Sequence, residues 1–322
     1  MPPAANPAET SRVRRSLRLP APLQQRLRDT VVRLLARDEA SQRSMAIDYD
    51  HPLGDEGLFG PRTLTWRVHA DFPGMMAGGV CALMLQTLHP RALAGVWDHS
   101  NFRDDLLGRL RRTTAFVAGT SYAPRADAER LIALVRRLHE RVEGVTADGQ
   151  PYSANDPELL TWVHVTEMSS FLAGYERYRL APRGQALSAR ERDRYFAETA
   201  RLAEALGAQR VPRSAAGVAA YFRRVQPQLR YDERSYTVLQ VLRRAALPVP
   251  GAAVFREVFV GAGAALLPDW AGALMGRGRV DRARADFAAR SLTLAGPLLR
   301  AALADGVVAR SHRRLGLQPP PI

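Results

Sequence analysis

The stretch MMAGGVCALMLQTL, Met75–Leu88, decides the fold class. Wound at helical pitch it is apolar around most of its circumference, which implies contact on several sides. It falls short of the roughly 20 residues that a membrane-spanning helix needs, so it reads as the buried helix of a protein core. His89-Pro90 ends it, and Pro90 suits the first turn of a short helix that follows.

Downstream the same spacing persists. Phe102, Leu106, Leu110 and Val117, with Asp104-Asp105 in the first turn, mark a helix that stops at Gly119. Pro124 to Gly144 is predicted as one helix, with Leu131, Val135, Leu138 and Val142 as its apolar stripe. Asp148-Gly149 is a turn. Asp156-Pro157-Glu158 supplies a cap, a first-turn proline and a first-turn acid for a helix running to about Tyr178. Ser188-x-x-Glu191 is a capping box for a helix that closes near Gly207. Further helices are expected at 214–226, 233–246, 251–266 and 281–303, punctuated by Pro227, Pro248 and Pro268. Upstream, Leu23, Leu27, Val31 and Leu34 mark a first helix, and 44–72 is less regular, with turn signals at His51-Pro52 and Gly60-Pro61. Strand alternation is not seen, so the fold class is all-α. Residues 1–20 read as a disordered arm, 21–316 as a single helical domain and 317–322 as a Pro-rich tail.

At 322 residues, 46% hydrophobic and 24% charged, the chain can bury a large core. The formal charge of +14 invites a nucleic-acid reading. Yet all 46 basic residues are arginine, most are interleaved with Asp and Glu, and the dense runs Arg12–Arg18 and Arg310–Arg314 lack aromatics. The reading is therefore a solvated basic surface and no nucleic-acid partner. Cys81 is the only cysteine, which rules out an intrachain disulfide. No apolar segment follows Arg14-Arg15, so no export signal and no transmembrane segment is expected, and the cytoplasm is the default compartment.

Chemistry concentrates in the middle third. His139 lies one turn past Val135 at the edge of its stripe, and His164 lies one turn past Leu160 and one before Met168. Either interior histidine suits a metal ligand or a hydrogen-bonded core residue. His164-Val-Thr-Glu167 has the reverse of the Glu-x-x-His order that a bridged di-metal site uses, and Glu-x-x-His, Cys-x-x-Cys and His-Glu-x-x-His are absent from the chain. A heme asks for less: one imidazole, an apolar slot and a few cationic groups.

Four segments resemble the MpaB/latex-clearing family of heme-dependent oxygenases. They are Gln86–Pro90 running on to Gly95–Ser100; Arg109–Thr114; His139–Gly144 with Asp148-Gly149 and Tyr152–Pro157; and Trp162–Thr166 with Phe171-Leu172. Weaker likeness continues to Leu266-Leu267-Pro268, so the resemblance covers roughly residues 60–275. It implies a globin-like helical core holding heme b, with His139 of the His-x-x-Val-x-Gly motif as the proximal iron ligand. It also implies that Arg109 and Thr113 sit on the oxygen-binding side as catalytic and cofactor-binding residues. His164 is counted with the cofactor-binding group, in a packing or hydrogen-bonding role.

Some rubber oxygenases carry a lysine where this chain has Arg112, and a guanidinium has no lone pair to give iron. Asp98 is the nearest carboxylate to a distal base. The function implied is a heme-dependent oxygenase using dioxygen on an apolar, unsaturated isoprenoid or lipid-like substrate, its electron donor unnamed. The alternative is a heme protein without catalysis, a sensor or electron carrier, in which His164, His89 or Met168 fills the sixth site. At the residue level, the plain structural roles are an Arg109–Asp105 pair, a packed Thr113, His89-Pro90 as a helix boundary and His99-Ser100 as a capping turn.

Overall fold

The computed structural model describes residues 47–246 and 251–319, together with Gln25 and Asp29. The expected arm at 1–20 and the helix marked by Leu23, Leu27, Val31 and Leu34 lie outside the described residues, as do Pro248 and the last residues of the Pro-rich tail. Thirteen α-helices are described. They are α1 (Leu64–His69), α2 (Phe72–Gln86), α3 (Pro90–His99), α4 (Leu106–Tyr122), α5 (Arg125–His139), α6 (Pro157–Tyr175), α7 (Ala189–Leu206), α8 (Ala215–Val225), α9 (Glu233–Arg244), α10 (Ala252–Ala264), α11 (Asp269–Leu274), α12 (Arg279–Ala302) and α13 (Val307–Arg314). The fold is all-α, with one two-stranded exception.

That exception corrects the expected helix through Gly144. α5 ends at His139, and β1 (Glu143–Val145) pairs antiparallel with β2 (Pro151–Ser153), Gly144 opposite Tyr152. Leu138, Val142 and Val145 keep helical spacing across the break, so spacing alone carried the helix too far. The glycine decides it: a Cβ at Gly144 would fall 2.6 Å from the Tyr152 hydroxyl. Leu138, read as part of the buried stripe, is exposed.

Caps fix the ends much as the sequence implies. Ser188 and Glu191 form the reciprocal capping box of α7, which closes on Gly207 at φ +110°. Asp156 accepts from the Glu158 amide at the start of α6, and Asp105 from the Gly108 amide at the start of α4. α6 leaves α-geometry at Tyr175 and continues as one π-turn, Glu176–Leu180.

α2 and α6 form the centre. They lie antiparallel at close range: a Cβ on Gly174 would sit 2.2 Å from the Gly74 carbonyl oxygen, and one on Gly78 would sit 2.7 Å from the Ser170 carbonyl oxygen. Small residues at Gly74, Gly78, Ser170 and Gly174 are what allow two backbones to approach this closely. Cys81 lies in this seam, 1% exposed, its thiol pushed up to about 12 by burial. Around the seam Val68, Leu85, Leu88, Trp162, Val165, Met168 and Phe171 form the largest apolar cluster.

Two arginines tie the C-terminal helices inward. Arg300 of α12 is buried against Asp71, the cap of α2, at 2.5 Å, and also donates to the Tyr178 carbonyl. Arg314 of α13, 1% exposed, donates to the carbonyls of Tyr49, Asp55 and Tyr122. Arg310 pairs with Asp48 and Asp50. The run Arg310–Arg314, expected to be solvated surface, is thus partly a structural clamp on the irregular segment before α1.

Candidate functional site

α4 and α5 are consecutive, packed on each other and joined through Ala123 and Pro124 alone. Leu131 of α5 packs where a Cβ at Gly119 of α4 would fall. Arg109 and His139 therefore both sit at the ends remote from the turn, Arg109 entering α4 and His139 ending α5. From residue 107 to residue 118 no α4 side chain is fully buried, although Leu106 and the segment from Gly119 to Tyr122 are. The middle of α4 is the loosely packed wall of this hairpin.

His139 is half-buried, and its Nδ1 is buried without a hydrogen-bond partner. Burial lowers its pKa, so the ring is neutral at neutral pH with a lone pair to donate. A neutral imidazole with an unsatisfied buried nitrogen is what an axial heme ligand requires, and leaving it unsatisfied is unfavourable otherwise. Arg109 is half-buried; burial, then the charge of Arg112, pulls its pKa down. It does not pair with Asp105. That carboxylate caps Gly108 and pairs at 3.5 Å with Arg112, which is exposed. Among the described residues Arg109 has no ion-pair partner. A half-buried cation left in that condition suits an anionic group such as a propionate. Thr113 is exposed, and its hydroxyl donates to the Arg109 carbonyl at 3.2 Å. His139 and Arg109 thus match two of the groups a heme asks for, an imidazole and a cation. Among the described residues no hydrogen bond links His139 to Arg109 or Thr113.

His164 lies elsewhere, deep on α6. It is buried, pushed down to about 4 by burial, and electrostatically coupled to His69. His69 is a satisfied core histidine: Ser121 Oγ is 2.7 Å from Nδ1 and Tyr195 Oη 3.0 Å from Nε2. One turn beyond His164 stands Glu167, which sequence reasoning weighed only as half of a reversed metal motif. Burial raises its carboxyl to about 7, and the Gln86 amide lies between it and the Val163 carbonyl. The signal available was an acid one turn from an interior histidine on a helix otherwise apolar on all sides.

His89 begins α3 as expected, but its ring is also buried on Trp162, 5.7 Å between centroids, with Nδ1 unpartnered. His99 ends α3 and bonds the Glu143 carbonyl. Asp98 accepts from the Tyr152 hydroxyl at 2.6 Å, a tie between α3 and β2. Met168 is engaged by the Tyr195 hydroxyl. Among the described residues no three of His, Cys, Asp and Glu converge to hold a bare metal ion. A surface groove of about 420 Å³ is lined by residues such as Glu176, Arg177 and Arg192, none of them from α4 or α5.

No curated protein and no solved structure matches the chain. The family model described as the catalytic domain of ER-bound oxygenase mpaB/B' and rubber oxygenase matches residues 66–301. That span runs from α1 almost to the end of α12 and takes in α4 and α5 entire. A match over that much of the chain means that it belongs to the mpaB/rubber oxygenase catalytic-domain family.

Proposed function

We propose that the chain is a heme b-dependent oxygenase that uses dioxygen on an apolar, unsaturated substrate of isoprenoid or lipid type. The observation that carries this reading is His139: a half-buried, neutral imidazole with an unpartnered nitrogen, on the helix packed against the one that bears Arg109. Heme, when bound, supplies the oxygen chemistry. His139 would hold it through the free ring nitrogen. Arg109 would donate to a propionate or to negative charge developing on oxygen, and its own lack of a partner leaves those donors available. The Thr113 hydroxyl donates its hydrogen bond to the Arg109 carbonyl, so its contribution is to hold the α4 turn that carries Arg109.

The test is the absorption spectrum of the purified protein and two variants. A Soret band is expected in the parent and in His164→Ala, and its loss in His139→Ala. A colourless His164→Ala beside a normal His139→Ala would reverse the assignment. The second imidazole with an orphaned nitrogen, His89, favours one competing reading, a heme protein without catalysis. A reduced parent that is already low-spin and six-coordinate would select it.

A further inference from the structure

α12 is satisfied on its inner side. Ala285, Ala288, Ala289 and Leu292 are buried, and α10 approaches so closely that a Cβ at Gly261 would meet Ala288 at 2.4 Å. Its outer side carries a second apolar row that no part of the described fold uses. Val280, Phe287 and Leu294 follow one another at seven-residue steps and are 64%, 74% and 81% exposed; Leu298 continues the row one turn further. At helical rise the row is about 27 Å long. Beside it stand Arg279, Arg284 and Arg290, all exposed and none with an ion-pair partner among the described residues. The two acids of α12 are taken: Asp286 by Arg177 at 3.0 Å, and Asp281 by the Gly278 amide at 3.1 Å.

An apolar row flanked by uncompensated positive charge is complementary to one kind of surface, apolar below and anionic above. A second copy of this chain would bring the same arginines together with no free carboxylate on α12 to meet them. The first 46 residues are a poor cover for the same reason, with nine arginines against four acids. Nucleic acid would leave the apolar row unused. No single described helix is long and apolar enough to cross a bilayer; α12 passes by length and composition only as a bent pair with α13, and its inner side belongs to the core.

We propose that α12 docks the protein flat on the surface of an anionic lipid bilayer. Phe287 and Leu294 enter the headgroup–acyl boundary, and Arg279, Arg284 and Arg290 meet lipid phosphates and carboxylates. This surface is independent of His139, and its test reads binding alone.

The full-length protein is floated with vesicles of phosphatidylcholine, with and without phosphatidylserine. Flotation is expected with the phosphatidylserine vesicles, falling as salt is raised. Phe287→Ser with Leu294→Ser should cut the bound fraction about tenfold or more. Arg284→Glu with Arg290→Glu should do the same while keeping the apolar row, since each arginine near the surface is worth about fivefold. Melting temperatures measured alongside should stay close to the parent's, because neither pair is buried. Equal flotation of parent and variants, or absence of the parent from anionic vesicles, would overturn the proposal. So would a concentration-dependent dimer that both pairs of substitutions dissolve, which would assign the row to a second copy.

Discussion

Arg109 and Glu167 are single residues whose surroundings make them measurable. Arg109 is a half-buried cation with no counter-charge among the described residues, and a hydrogen bond to a charged group contributes about 1.5–3 kcal/mol. Arg109→Ala should therefore keep the heme and lower product yield on an unsaturated lipid by about tenfold or more, measured by product chromatography. Thr113→Val, which removes only a bond to a helix carbonyl, should lower it less. Glu167 is a stability probe. Its folded pKa of about 7 stands above the ordinary value of 4.5, so its protonated form is favoured in the native state. The stability it contributes is complete below about pH 4.5 and is lost as pH rises through 7. Glu167→Gln should accordingly raise the unfolding free energy from urea denaturation at pH 8, by about 1–3 kcal/mol, and change little at pH 4.5. Arg109 and His139 were singled out by the motifs around them. Glu167 was not, because an acid in a helix is ordinarily at the surface, and only the packing of α6 against α2 and α7 takes this one out of water.

At the scale of elements, the α2–α6 crossing depends on missing side chains. Gly174→Ala places a Cβ 2.2 Å from a backbone oxygen that cannot rotate away, so the helices must separate. Overpacking of this kind costs about 1–3 kcal/mol. Gly272, in α11, has nothing within 4 Å of its would-be Cβ, and Gly272→Ala should stabilise by about 0.5–1 kcal/mol. Chemical denaturation of the two variants separates a packing glycine from an incidental one. Sequence alone could not, since both lie in helices. Most helices were legible because caps and apolar spacing act locally, as at Ser188 or Asp156. The β1–β2 hairpin was not, because Tyr152 decides it from across the turn.

Across the whole molecule, buried histidines set the acid limit. His69 is pushed down to about 3, and His89 and His164 to about 4, all chiefly by burial. Each folded value lies below the ordinary 6.5, so the unfolded chain takes up these protons first. Their stability contribution is intact above about pH 6.5 and is lost as pH falls toward 4. Glu167 works in the opposite sense over part of that range, one group against three. Urea midpoints should thus fall steadily from pH 7 to pH 5, and a flat profile would contradict neutral burial of these rings. The same scale hides what joins distant parts. Asp71 and Arg300 are far apart in sequence yet form the buried pair between α2 and α12. Nothing local to either residue announces its partner.

The lone thiol of Cys81 gives the molecule an internal clock. Closed inside the α2–α6 seam and held protonated by burial, it meets an alkylating reagent only when those helices part. Its labelling rate is then a count of opening events at the centre of the fold. When reclosing outruns the reagent, that rate reads the opening free energy directly, without denaturant and without an introduced probe.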